Sequence, residues 1–136
     1  MNVFVYGTLR AGEGNQRLIA RFIQESRPGK VAAILLDKGA YPYAILSADH
    51  AAVGEWITFD KKAEKEVLRL LDRLEGYRGA GDPNNHYERI KVKDLENGTE
   101  GWMYVVDPES PRCKWITGKY PMIASGDWKE SARCFA

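Results

Sequence analysis

The strongest constraint on this chain is a stretch of helical periodicity at residues 61–74, set between a helix-starting residue, Asp60, and a helix-stopping one, Gly76. At ~100° per residue, Val67, Leu70, Leu71 and Leu74 form one apolar stripe with Leu68 at its edge. Glu66, Arg69, Asp72 and Arg73 fall on the opposite, solvated side. Such a helix must lay its stripe on something, and the other apolar runs are mostly short and bounded by turns, as strands are. Glu75 breaks the sorting. It lies in the last turn between Leu71 and Leu68, on the apolar side. Burial and the negative end of the helix both push such a carboxyl's pKa upward, toward the range of a general acid/base. An ion pair with Arg89 or Lys91, or a side chain curling out past the helix end, is the competing structural explanation.

Residues 3–6 are an apolar run stopped by Gly7 and read as a buried strand. After Asn15, a good N-cap, Leu18, Ile19, Phe22 and Ile23 recur at helical spacing up to Pro28-Gly29, which predicts a first helix. Residues 31–36, 43–46 and 53–59 predict successive strands, and residues 87–92 and 99–106 a hairpin around Asn97-Gly98. Residues 78–86 are rich in turn formers without apolar anchors and read as a flap. From Asp107 onward prolines and isolated aromatics replace periodicity, predicting irregular backbone with one short helical turn. The fold class expected is α+β: a small antiparallel or mixed sheet curling toward a β-barrel, with two flanking helices.

With 136 residues, the chain is sized for one domain spanning residues 1–136. Twenty basic against nineteen acidic residues give a net charge of +1, so no global field favours nucleic acid or an anionic membrane, and a small molecule is the expected partner. Trp115 beside Lys114 and Trp128 beside Lys129 carry only a weak case for a nucleic-acid-binding barrel. Cys113 and Cys134 stand far apart with only His50 and His86 to join them, which argues against a zinc site and for two free thiols. No run is long enough to cross a bilayer, and the first six residues lack the basic start and long apolar stretch of a signal peptide. The expected location is the cytoplasm.

The first strand ends in Tyr6-Gly7-Thr8-Leu9-Arg10. A glycine here lets backbone N–H groups turn toward a ligand, where they can cradle an anion or an oxyanion. Gly7, Gly12 and Gly14 do not match the spacing of a phosphate loop, and Arg17 stands where a dinucleotide fingerprint needs a third glycine. A glycine required only to leave the strand would give the same residues.

Val3-Phe4-Val5-Tyr6-Gly7-Thr8-Leu9-Arg10 with Gly14-Asn15, then Leu71-Asp72-Arg73-Leu74-Glu75-Gly76-Tyr77, then Tyr87-Glu88-Arg89, resembles the gamma-glutamylcyclotransferase-like superfamily. The likeness is closest to its gamma-glutamylamine cyclotransferase branch and related small bacterial proteins. It extends to Tyr120-Pro121-Met122-Ile123 and Ser125-Gly126-Asp127-Trp128. The resemblance implies a barrel with flanking helices, neither metal nor organic cofactor, and a cavity in which the strand-one loop faces the carboxylate. It assigns substrate binding to Tyr6, Gly7, Thr8 and Leu9 and proton transfer to Glu75, with Tyr104 and Tyr120 lining the cavity. The implied reaction cleaves a small gamma-glutamyl amide by attack of its own α-amine, releasing 5-oxoproline and an amine or amino acid. A non-catalytic barrel that binds an amine or amino acid through Glu75 is the alternative.

Overall fold

The computed structural model describes residues 1–133, so Cys134 lies outside the described residues. The described residues form seven strands and three helices: β1 (Asn2–Val5), β2 (Ile23–Val31), β3 (Ala33–Asp37), β4 (Pro42–Leu46), β5 (Ala52–Phe59), α1 (Glu64–Glu75), β6 (Glu88–Lys93), β7 (Glu100–Val105), α2 (Pro111–Lys119) and α3 (Trp128–Arg133). The class is α+β. Five strands form a mixed sheet in the order β2-β5-β1-β7-β6, in which β1 runs antiparallel to β5 and parallel to β7. β3 and β4 pair separately as a two-stranded sheet.

The two sheets meet without closing into the expected barrel. The Val106 N–H donates to the Ala44 carbonyl at 2.8 Å, joining the end of β7 to β4, but β2 and β6 remain edges of the larger sheet. Those edges are protected against pairing by their composition: Pro28 has no N–H to offer, and Glu25, Arg27, Lys30, Lys91 and Lys93 place charge along them.

Alternation along β1 divides the core. Val3 and Val5 join Ile57, Phe59 and the buried α1 residues Val67 and Leu71, whereas Phe4 packs with Trp56, Val31, Leu35 and Met103. The helix therefore covers one face of the sheet. Its start is capped by Asp60, whose Oδ1 accepts from the Lys62 N–H at 3.0 Å before a short 3-10 turn. Its end is a left-handed turn at Gly76 (φ 64°), where the Tyr77 N–H reaches the Asp72 carbonyl at 2.8 Å.

Two expected segments differ. Instead of a first helix, residues 16–22 form two single 3-10 turns, and the chain then enters the nine-residue β2. Only Ile19 of the apolar set is fully buried and Leu18 is 44 % exposed, so helical spacing had too little to bury. β2 gains a continuous antiparallel ladder with β5 instead. After Asp107 the backbone is more regular than expected: Ser110 caps the nine-residue α2, its Oγ accepting from the Cys113 N–H at 3.3 Å, with Pro111 in the first turn. Residues 121–123 continue beside β3, with Leu36 bridged to Met122.

Asp94 fixes the β6–β7 hairpin to the core. Its carboxylate accepts from Trp56 Nε1 at 2.8 Å and from the N–H groups of Lys30, Glu96 and Asn97. Burial alone would raise its pKa, but these donors outweigh burial and hold it down at about 2. The stability tied to this depression is present above the ordinary Asp value and lost as pH falls through about 2. Asp94→Ala, which orphans the Trp56 donor, is expected to cost about 2–4 kcal/mol in urea denaturation at pH 7. Much of that difference should disappear near pH 2.

Candidate active site

Glu75 closes α1, and the turn at Gly76 prevents the helix from carrying the chain past it. The left-handed φ favours glycine there, and a Cβ at position 76 would stand a tight 3.1 Å from the His86 side chain. The helix presents Val67, Leu71 and Glu75 to the interior along one row. Asp72, expected on the solvated side, instead faces the sheet. It accepts from Arg89 Nη1 at 2.7 and 2.9 Å and from the Tyr104 hydroxyl at 2.6 Å. Arg89 thus goes to Asp72 and not to Glu75, and its guanidinium lies between the rings of Tyr77 and Trp102, 5.0 and 4.9 Å from their centroids.

Among the described residues the Glu75 carboxyl has neither a hydrogen bond nor an ion pair. Burial raises its pKa from 4.5 to about 7. The carboxyl lines a cavity of about 60 Å³ together with Tyr6, Gly7, Thr8, Leu9, Tyr104 and Tyr87, and with Tyr41 and Pro42 at the start of β4. One water needs roughly 10–15 Å³ of such space, so the cavity can take a small polar group. A second basin of about 430 Å³ shares Thr8, Tyr41, Glu75 and Tyr87 with it and adds Arg73, Leu74, His86 and Arg112.

The loop after β1 supplies the facing wall. The Arg10 N–H donates to the Gly7 carbonyl and the Asn15 N–H to the Thr8 carbonyl, both at 3.0 Å, so the loop is held through its acceptors. The N–H groups of Gly7, Thr8 and Leu9 find no acceptor among the described residues. Gly7 and Leu9 are buried, and unpaired buried donors beside a cavity suit a ligand that brings acceptors. Gly7 is also a packing necessity: a Cβ there would lie 2.7 Å from Pro42 Cδ. Arg10 anchors the loop from behind, paired with Glu55 and, at 2.8 Å, with Asp127.

The structure brings Tyr6, Gly7, Thr8, Leu9, Tyr104 and Glu75 to one cavity. The Tyr6 hydroxyl donates to the Tyr104 carbonyl at 2.6 Å, and burial raises the pKa of both phenols, so both stay protonated. Tyr120 lines neither cavity. It packs 5.6 Å from Tyr43 and 6.0 Å from Trp115, ring to ring, and so supports the wall from outside. Sequence reasoning missed Tyr87, Tyr41 and Arg112. Tyr87 stands one residue before β6 and Arg112 in the first turn of α2, and only long-range packing brings them together. The expected flap is tied down by Asn85, whose side chain bonds the Arg78 N–H, the Gly79 carbonyl and Glu88. Among the described residues no three His, Cys, Asp or Glu side chains cluster as metal ligands, and no helix is long and apolar enough to cross a membrane.

This fold and site have relatives. Residues 3–130 match the family described as gamma-glutamyl cyclotransferase, AIG2-like. A gamma-L-glutamyl-butirosin B gamma-glutamyl cyclotransferase from Niallia circulans is 34 % identical over 132 residues, covering 95 % of this chain and 76 % of its own. An AIG2-like protein from Mus musculus shares the fold with a TM-score of 0.58 at 21 % identity, over 85 % of this chain and 82 % of the mouse chain. An uncharacterized Pyrococcus horikoshii protein does so with a TM-score of 0.60 at 17 % identity, over 96 % and 91 %. The row ending in Glu75, the unpaired loop donors and these matches converge: the chain belongs to the gamma-glutamyl cyclotransferase, AIG2-like family.

Proposed function

We propose that this protein is a gamma-glutamyl cyclotransferase that splits a gamma-glutamyl amide by intramolecular attack, with Glu75 as its proton carrier. The observation that carries the reading is an unpartnered carboxyl with a pKa of about 7, facing a loop of unpaired N–H donors across a small cavity. The substrate's α-nitrogen attacks its own side-chain carbonyl carbon, a ring C–N bond forms, and the original amide C–N bond breaks. 5-Oxoproline and an amine leave. Nucleophile and electrophile sit in one molecule, where effective molarities reach ~10⁵–10⁸ M, so the site needs only to fold the substrate and move protons.

The α-nitrogen starts as an ammonium and loses two protons in becoming a ring amide, and the departing nitrogen gains two in becoming an ammonium. The protons balance within the substrate, and Glu75 relays them and ends as it began. A pKa near neutrality suits both halves of that relay. In this reading the donors of Gly7, Thr8 and Leu9 hold a substrate carboxylate or the developing oxyanion; their common cavity with Glu75 and with Tyr104, which donates to Asp72, supports it.

Glu75→Gln is expected to fold and to lose about 10²–10⁴-fold in kcat, the usual worth of general acid/base catalysis, measured as 5-oxoproline release. Full turnover in that variant would end the assignment. For the wild type, kcat/KM is expected to fall about tenfold per pH unit below about 7 as Glu75 takes up its proton.

The same shift has a stability consequence. Between 4.5 and about 7 the folded protein keeps a proton that the unfolded chain has lost, so this contribution is full at low pH and disappears as pH rises across that window. Glu75→Gln should therefore be more stable than wild type at pH 8, by up to about 3 kcal/mol, with much of that advantage gone at pH 4.5. Chemical denaturation at the two pH values checks it. Gly7→Ala is expected to raise KM through the collision with Pro42, while Gly14→Ala, with open space around its Cβ, should leave KM unchanged.

A further inference from the structure

The outer basin has a charge sign of its own. Beyond Thr8, Tyr41, Glu75 and Tyr87, which it shares with the inner cavity, its ionisable lining consists of Arg73, His86 and Arg112. Arg73 and Arg112 form no ion pair among the described residues. Arg112 gives one N–H to the His86 carbonyl and lays its guanidinium near the rings of Tyr43 and Tyr87, 5.4 and 5.7 Å from their centroids. A guanidinium has five N–H donors, so most of its capacity is unused. Lys38, outside the lining, donates to the hydroxyl of Tyr41 within it at 2.6 Å. Among the described residues the one acid in the lining is Glu75; of the acids nearby, Asp72 is paired with Arg89, and Glu88, which accepts from the neutral Asn85 amide, lies outside the lining.

Because the two cavities share Glu75, the group that departs from the scissile carbonyl leaves through the outer basin. We propose that Arg112 and Arg73 are specificity-determining residues that favour gamma-glutamyl substrates whose departing amine carries a carboxylate, an amino acid or peptide, over those whose amine carries a second cation. The inference rests on the cyclotransferase reading and adds the leaving-group class to it. Arg112, held in place by two rings and a carbonyl, offers a paired-donor edge to a carboxylate, the geometry that guanidinium recognition uses. Arg73, in the last turn of α1, supplies further positive potential at the mouth. A second cation on the leaving group would meet two unneutralised guanidiniums in a recess where solvent screens less than on an open surface.

The test measures 5-oxoproline release by the purified full chain from three substrates of similar size: gamma-glutamyl-L-alanine, its C-terminal amide, and gamma-glutamyl-1,2-diaminoethane. The expected order of kcat/KM is acid, then amide, then diamine, with acid over amide by about two- to fivefold, the ratio of a partly exposed ion pair. Arg112→Gln should bring the acid-to-amide ratio close to one, with the change mainly in KM. Arg73→Gln, at an exposed position, should reduce the ratio in the same direction and serves if Arg112→Gln fails to fold. An amide or diamine that equals or exceeds the acid, or a ratio unmoved by either variant, overturns the proposal while leaving the cyclotransferase reading intact. No 5-oxoproline from any of the three overturns both.

Discussion

The site depends on a carboxyl that has been taken out of water without being given a partner. Transferring an ionised group into a poorly solvated cavity is costly, and a protein usually offsets the cost with a cation or hydrogen bonds. Among the described residues Glu75 receives neither, and burial raises its pKa to about 7. The cation that its sequence position suggests as a partner is already engaged. Arg89, close enough in sequence to suggest itself as the partner, is held by Asp72 and clamped between two aromatic rings. The charge pair one helical step away thus leaves Glu75 unneutralised.

That organisation links fold to chemistry through a few fixed points. The parallel pairing of β1 with β7 sets the loop after β1 beside Tyr104, and the Tyr6 hydroxyl bonded to the Tyr104 carbonyl holds the two strand ends together. Pro42 packs against Gly7 so closely that no side chain fits between them, which seats the loop on the β3–β4 sheet. Behind it, Arg10 ties the same loop to Glu55 on β5 and to Asp127 just before α3. Four separate parts of the chain therefore hold three residues whose N–H groups remain unpaired. In the proposed reaction, donors held this way would need no reorganisation when charge develops, the condition under which they contribute most.

What could be read from the sequence was what local chemistry decides. Asp60 and Gly76 bound the helix, Asn97-Gly98 marks the β6–β7 turn, and the phase of the apolar stripe points Glu75 inward. The Asp72 side chain was misplaced because its position follows from partners on β6 and β7 that no helical wheel contains. The helix expected after Asn15 failed for a related reason: Asn15 spends its side chain on Thr8, and residues 23–31 gain more from β5 than from a short apolar stripe. After Asp107 only one short helical turn was expected; the nine-residue α2 found there starts at the Ser110 cap with Pro111 in its first turn, and its sequence shows no apolar periodicity. Tyr41 and Arg112 carry no local mark, and Tyr87, though part of a segment that resembles the family, carries none of a place in the cavity. The packing of β4, the start of β6 and α2 alone makes them neighbours.

The state of the Glu75 carboxyl is the point on which the chemistry turns, and it can be observed directly. Carbon-13 NMR of side-chain carboxyl-labelled glutamate, with Glu75 assigned by its absence in Glu75→Gln, follows its titration in the ligand-free protein. A midpoint of about 7 is the expected result. A midpoint at the ordinary carboxylate value of 4.5 would show a solvated or ion-paired side chain and contradict the role given to it.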